Sequence, residues 1–282
     1  MENLLVNKVA AVKEVRQAAE YQKKKQACIL TGLAGSSKPV FFAAADKLLG
    51  GKGSMAFITA SREEIRTYRR ELNYLYPDLP MQELYPVSLP RVQADTQSLE
   101  LQAGRAAALR FLSGEERGIV FITAEALQQK QLRPSGMSGK ALQLAVGEEH
   151  EQRNIAAALL DLGYERTEQV DALGQFCLRG DILDVYPINS STAVRIEWFD
   201  NELDAMRSFD VDTQRSLQTL TSIKIAPLKV DESFSYDADI FEYCAADTMV
   251  VVDEPVHVSS MLKSWTRKTR SMPPSFSGNR SL

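Results

Sequence analysis

Ala27-Cys28-Ile29-Leu30-Thr31-Gly32-Leu33-Ala34-Gly35-Ser36-Ser37-Lys38-Pro39 runs from an apolar stretch through a Gly/Ser loop into a segment of helical character. Strand, glycines, helix is the order in which an α/β protein carries a phosphate-cradling P-loop. A working loop needs Gly before its Lys, so that backbone N–H groups can wrap the phosphates, and Ser or Thr after it to ligate Mg²⁺. Those places here hold Ser37, Lys38 and Pro39. Proline brings neither hydroxyl nor N–H, so Gly32, Gly35 and Lys38 read as the remains of a nucleotide loop, and ATP hydrolysis at it is not expected. Taken alone, a Gly/Ser turn with Pro in the first helical turn is the more ordinary reading.

Outward from this loop the pattern repeats. Apolar runs at 27–31, 55–59 and 118–123 read as strands, and amphipathic stretches at 38–49, 61–75 and 98–112 read as helices. Ser61 is placed as an N-cap with Glu64 completing a capping box, and Leu99, Ala103, Ala106 and Leu109 form one helical face. Alternation of this kind implies a parallel sheet covered by helices. Far along the chain, Met249-Val250-Val251-Val252 precedes Asp253-Glu254. A continuous apolar run suits a strand buried on both faces of a parallel sheet, so the chain is expected to return here to its first lobe. Asp253 and Glu254 then stand where a Walker B strand delivers Asp to Mg²⁺ and Glu to the attacking water. Two degenerate motifs in this order imply descent from an ATPase core. Descent is not activity, and 282 residues leave no room for a second lobe with an arginine finger.

After Arg133-Pro134-Ser135-Gly136 the grammar changes. A strand at 141–146 and a helix at 150–162 lead into closely spaced strands at 175–178, 182–186, 194–199 and 203–209. Asp200-Asn201 forms a tight turn between the last two, because Asn and Asp tolerate positive φ. This is a small α+β domain. The expected division is therefore residues 1–135 for the first part of the α/β lobe, 136–218 for the insertion and 219–254 for the return. Residues 255–282, rich in Ser, Arg and Pro, are expected to be mostly disordered.

The insertion contains Gly163-Tyr164-Glu165-Arg166, then Gly174-Gln175-Phe176-Cys177-Leu178-Arg179-Gly180-Asp181-Ile182-Leu183-Asp184-Val185-Tyr186-Pro187, then Arg195-Ile196-Glu197-Trp198-Phe199-Asp200-Asn201-Glu202-Leu203. These ordered blocks resemble the domain shared by UvrB and the N-terminal UvrB-homology module of the bacterial transcription-repair coupling factors (Mfd). The likeness covers roughly residues 27–254. UvrB keeps a functional Walker A and a tyrosine-rich DNA-clamping hairpin. The loop here has lost its metal-binding hydroxyl, and Tyr68, Tyr74 and Tyr76 fall on or just after a helix, so the coupling-factor module is the better match. The resemblance implies an α/β fold: a degenerate RecA-like P-loop lobe with a parallel sheet, interrupted by a small α+β domain that binds UvrA in transcription-coupled nucleotide excision repair. It implies no cofactor and no catalysis in this chain. RNA polymerase and DNA would be engaged only by family regions that the chain lacks, and its departure from the family after Glu254 suggests truncation or a shifted frame.

Family resemblance places UvrA-contacting arginines at Arg179 and Arg166, with Phe176 as an apolar anchor beside them. A planar guanidinium suits bidentate pairing with carboxylates. The bland alternatives are that Arg179 pairs with Asp181 or Asp184 in its own hairpin, and that Phe176 is a core residue. Arg195, Trp198 and Arg207 read as ordinary strand residues.

Composition narrows the function classes. Hydrophobic residues make up 44% and charged residues 25%, as in ordinary globular proteins. Net charge is −4 for the chain and −9 for residues 1–254, which argues against wholesale binding of a phosphate backbone. Cys28, Cys177 and Cys244 form no CxxC pair, and His150 and His257 have no partner at metal-ligand or triad spacing. No run approaches the ~18 apolar residues of a membrane span, so a cytoplasmic protein is expected. The rival readings are a UvrB-like nucleotide- or DNA-binding fragment with residual ATP binding, and a nucleic-acid binder using the basic tail.

Overall fold

The pentapeptides 55–59 and 119–123 are buried at every residue and pair in parallel, from Met55 beside Ile119 to Thr59 beside Thr123. They form the centre of a sheet in a computed structural model that describes residues 4–84, 99–132, 141–228 and 236–271. In chain order its elements begin with α1 (Leu4–Ala10), α2 (Lys13–Lys23), α3 (Ser37–Leu48), β1 (Met55–Thr59), α4 (Arg62–Leu75) and β2 (Met81–Leu84). There follow α5 (Leu99–Ser113), β3 (Ile119–Thr123), α6 (Ala124–Leu127), β4 (Gln131–Leu132), β5 (Leu142–Ala145), α7 (Gln152–Asp161), β6 (Glu165–Arg166), β7 (Gln175–Arg179) and β8 (Ile182–Val185). The last are β9 (Ala193–Phe199), β10 (Glu202–Phe209), β11 (Ser216–Thr219), β12 (Ser222–Ile225), β13 (Tyr236–Ala238), β14 (Met249–Val252) and α8 (Pro255–Ser271). The chain divides into two units: Met1–Ala94, Ala108–Gln129 and Tyr243–Leu282 in one, Asp95–Ala107 and Lys130–Glu242 in the other.

The first unit holds a parallel sheet in the order β14-β1-β3-β2. Phe57 and Phe121 stand 5.9 Å apart between ring centroids, and Phe57 and Tyr68 5.3 Å apart. Ile65 and Leu72 of α4 and Ala43 and Ala44 of α3 close over them. α4 starts where the sequence places it, with Ser61 Oγ accepting from the Glu64 N–H while Glu64 Oε2 accepts from the Ser61 N–H.

The second unit is built on a six-stranded sheet in the order β11-β10-β9-β8-β7-β6, antiparallel except for β6 beside β7. One face carries Phe176, Leu183, Val185, Val194, Ile196, Trp198, Leu203 and Met206 and packs against Ile155 and Leu159 of α7, Leu144 of β5 and Ile225 of β12. The other face buries a smaller cluster of Val170, Cys177, Ala193 and Phe209. Asp200 takes φ +55 in the turn between β9 and β10, the positive value its residue type permits. The molecule is thus a mixed α/β protein with one parallel sheet and additional antiparallel sheets.

Four expectations are corrected. Residues 27–31 are not a strand: they carry no ladder, and Ile29 is 90% exposed. A short apolar run reports propensity, whereas a strand exists only where a neighbour accepts it, and α2 turns back on itself through Lys25 at φ +54 just before this run. The strand at 249–252 does return beside β1, but as the sheet edge, so Val250 and Val252 are exposed rather than buried. The insertion extends beyond residue 218, because β12 pairs with β5 and Ile225 is buried in the second unit's core. Finally, residues 255–271 are helical, with Val258 buried and Gln128 Nε2 donating to the Leu262 carbonyl; the rest of the tail lies outside the described residues.

Candidate functional site

Of the two groups of residues singled out from the sequence, one in each unit, the first is brought together and the second is not. At the first, Gly32 and Gly35 adopt φ +82 and +51, values open to glycine at little cost, and so turn the chain into α3. Ser37 Oγ accepts from the Ala34 N–H, fastening the loop to itself. Lys38 then reaches across to the end of β14, where its ammonium lies 2.7 Å from Asp253 Oδ1 and 2.9 Å from Glu254 Oε1. The ammonium and the Asp253 carboxylate are both largely buried, with side-chain exposures of 18% and 13%. Burial works against the Lys38 charge, yet the hydrogen bonds to Asp253 and Glu254 outweigh it and hold the lysine above its ordinary value. Lys38 in turn holds the Glu254 carboxyl below its own. The Tyr68 phenol beside them is pushed up, first by burial and then by the Asp253 charge. The arrangement is closed on itself. The cation that would meet a phosphate already has two carboxylates, and Pro39 offers nothing to a metal.

At the second, Arg179 closes β7 on the face opposite Phe176. Its guanidinium is 56% exposed and makes one 3.4 Å contact with Asp184 Oδ2. Asp184 itself is buried, and its carboxylate is taken in two short bonds by Arg195, 2.7 Å to Nε and 2.8 Å to Nη2. Arg195 also lies over the Phe209 ring, 4.7 Å from its centroid. Arg195 therefore neutralises the buried acid and leaves Arg179 presented to solvent. Arg166 is also exposed, on the edge strand β6. The register sets it beside Phe176, so it has the parity opposite to Arg179 and the two arginines do not share a sheet face.

Phe176 is corrected outright. It is fully buried in the larger core of the second unit, because α7 covers its face of β7. An apolar residue that does stand well exposed on the Arg179 face is Phe199, at 73%. Sequence reasoning passed over it, although Arg195, Glu197 and Phe199 alternate as outward positions against the inward Ile196 and Trp198.

Tyr76 donates to Asp46 Oδ2 at 2.8 Å, and Arg117 bonds the same oxygen at 2.8 Å, so this tyrosine is structural. Among the described residues no group of three or more His, Cys, Asp or Glu is placed to hold a metal, and no helix is long and apolar enough to cross a membrane.

Residues 142–230 match the UvrB interaction domain family. The chain carries a UvrB interaction domain. It is 36% identical over 203 residues to the transcription-repair-coupling factor of Bacillus subtilis (strain 168), covering 71% of this chain and 17% of the relative. The corresponding factor of Staphylococcus haemolyticus (strain JCSC1435) is 30% identical over 247 residues, 87% of this chain and 19% of the relative. That of Escherichia coli (strain K12) is 28% identical over 167 residues, 59% and 14% respectively. The chain thus spans less than a fifth of the length of these relatives, and the matched UvrB interaction domain contains both Arg166 and Arg179.

Proposed function

We propose that this chain is a non-catalytic docking module that recruits UvrA during transcription-coupled nucleotide excision repair. The observation that carries the reading is Arg179: a half-exposed guanidinium in a UvrB interaction domain, relieved by Arg195 of the need to neutralise Asp184. Such a group can pair bidentately with a carboxylate on a partner, and arginines of this kind dominate the energy of many interfaces. Arg166 offers a second, separate cation at the sheet edge.

The first unit acts as scaffold. Lys38, engaged by Asp253 and Glu254, contributes to its stability rather than to nucleotide chemistry. RNA polymerase and DNA are contacted, in this reading, by parts of the coupling factors that lie outside this chain. Gel filtration of the full chain mixed with purified UvrA tests the proposal: co-elution supports it, and separate elution at micromolar concentrations of both sinks it.

A further inference from the structure

β9 keeps its alternation to the tip but ends its outward face on an apolar residue. Its outward positions read Arg195, Glu197 and Phe199, two charged residues followed by an aromatic side chain that is 73% exposed. The neighbouring Trp198 faces the core, where its Nε1 donates to the His150 carbonyl at 2.9 Å. A single exposed apolar side chain is ordinary, but Phe199 is not isolated. In the β8–β9 ladder Ile182 pairs with Glu197, and in the β7–β8 ladder Ile182 pairs with Arg179. Extending the first register by two residues sets Phe199 abreast of Gly180, in the turn between Arg179 and Ile182. The Trp198 N–H donates to the Asp181 carbonyl at 2.9 Å, which fixes that turn against β9. Diagonal neighbours on an antiparallel face lie roughly 7–8 Å apart, within reach of aromatic side chains. Ile182 is itself 38% exposed, and a Cβ at Gly180 would meet nothing within 4 Å, so the space over this turn is open.

We infer that Phe199, with Ile182 beside it, is the apolar anchor of the partner-binding surface centred on Arg179. This deepens the reading of the chain as a UvrA-docking module and rests on it. The surface joins a ring and a branched aliphatic side chain to a guanidinium, all on one corner of the sheet. Aromatic and arginine side chains are the residues on which interface energy concentrates. The occupant is correspondingly a UvrA surface with an apolar depression for Phe199 and Ile182 and a carboxylate placed to meet Arg179, away from Glu202, which pairs with Phe199 across the β9–β10 ladder.

The test is a calorimetric titration of purified UvrA with the full chain as wild type, Arg179→Ala, Phe199→Ala and Phe199→Leu, with thermal unfolding of each variant measured in parallel. We expect Phe199→Ala to weaken binding about 10-fold or more with its unfolding temperature unchanged, and Phe199→Leu to recover part of the loss. If wild type binds, Arg179→Ala weakens binding and Phe199→Ala does not, the anchor is overturned while the docking module stands. If wild type does not bind UvrA at all, both are overturned.

Discussion

Lys38 Nζ and Asp253 Oδ1 meet at 2.7 Å across 215 residues of sequence. The contact ties the N-terminal turn of α3 to the end of β14, and through Glu254 it uses both acids that follow that strand. A lysine at this place in a nucleotide-binding lobe would face a phosphate. Here it is the internal counter-ion of Asp253 and Glu254.

The pair has a definite dependence on pH. Glu254 is held below its ordinary 4.5, so its share of the stability is complete above that value and is lost as pH falls through its lower folded value. Lys38 is held above its ordinary 10.5, so its share is complete below 10.5 and lost as pH rises through its higher folded value. Replacing Lys38 by Met should cost about 1–2 kcal/mol at neutral pH, since it strands a largely buried Asp253. Urea unfolding of both proteins should show this difference constant between about pH 5 and pH 10 and shrinking in acid.

Nucleotide should have no effect on the folded chain. Mg²⁺–ATP at millimolar concentration is expected to leave the thermal unfolding temperature unchanged, since a ligand stabilises only a state that it binds. A rise that disappears in Lys38→Ala would show that the loop still functions.

Asp184 and Arg179 should separate stability from binding. Asp184→Ala leaves Arg195 without its buried partner and is expected to cost about 3 kcal/mol in urea unfolding. Arg179→Ala gives up one long, exposed contact and should change stability by less than about 0.5 kcal/mol.

Gly118, just before β3, is a packing constraint. A Cβ there would lie 2.3 Å from Cδ2 of Phe111, whose ring is 2% exposed and cannot swing away. Gly118→Ala should therefore lower stability by about 2 kcal/mol or more, read from the shift in urea midpoint.

Local features of this fold were legible in the sequence, and those that depend on a distant partner were less so. The Ser61–Glu64 capping box, the pentapeptide cores of β1 and β3, and the Asp200 turn each depend on a few neighbouring residues, and each stands where it was expected. Residues 27–31 have the composition of a strand but no ladder, because pairing is decided by chain far away in sequence. The order and strand-end placement of Lys38, Asp253 and Glu254 could be read, but not that they bond to one another. On β7, Phe176 was expected beside Arg179 as an anchor, although three residues of strand put the two on opposite faces. Only the packing of α7 shows Phe176 to be core and leaves Phe199 outside.

The most direct test of the central claim is the dissociation constant of the full chain for purified UvrA, compared between wild type and Arg179→Ala. We expect saturable binding by wild type and a loss of about 10-fold or more in the variant, with unfolding of the two proteins indistinguishable. Equal affinities would contradict the placement of the interface at Arg179, and absence of wild-type binding would contradict the docking role itself.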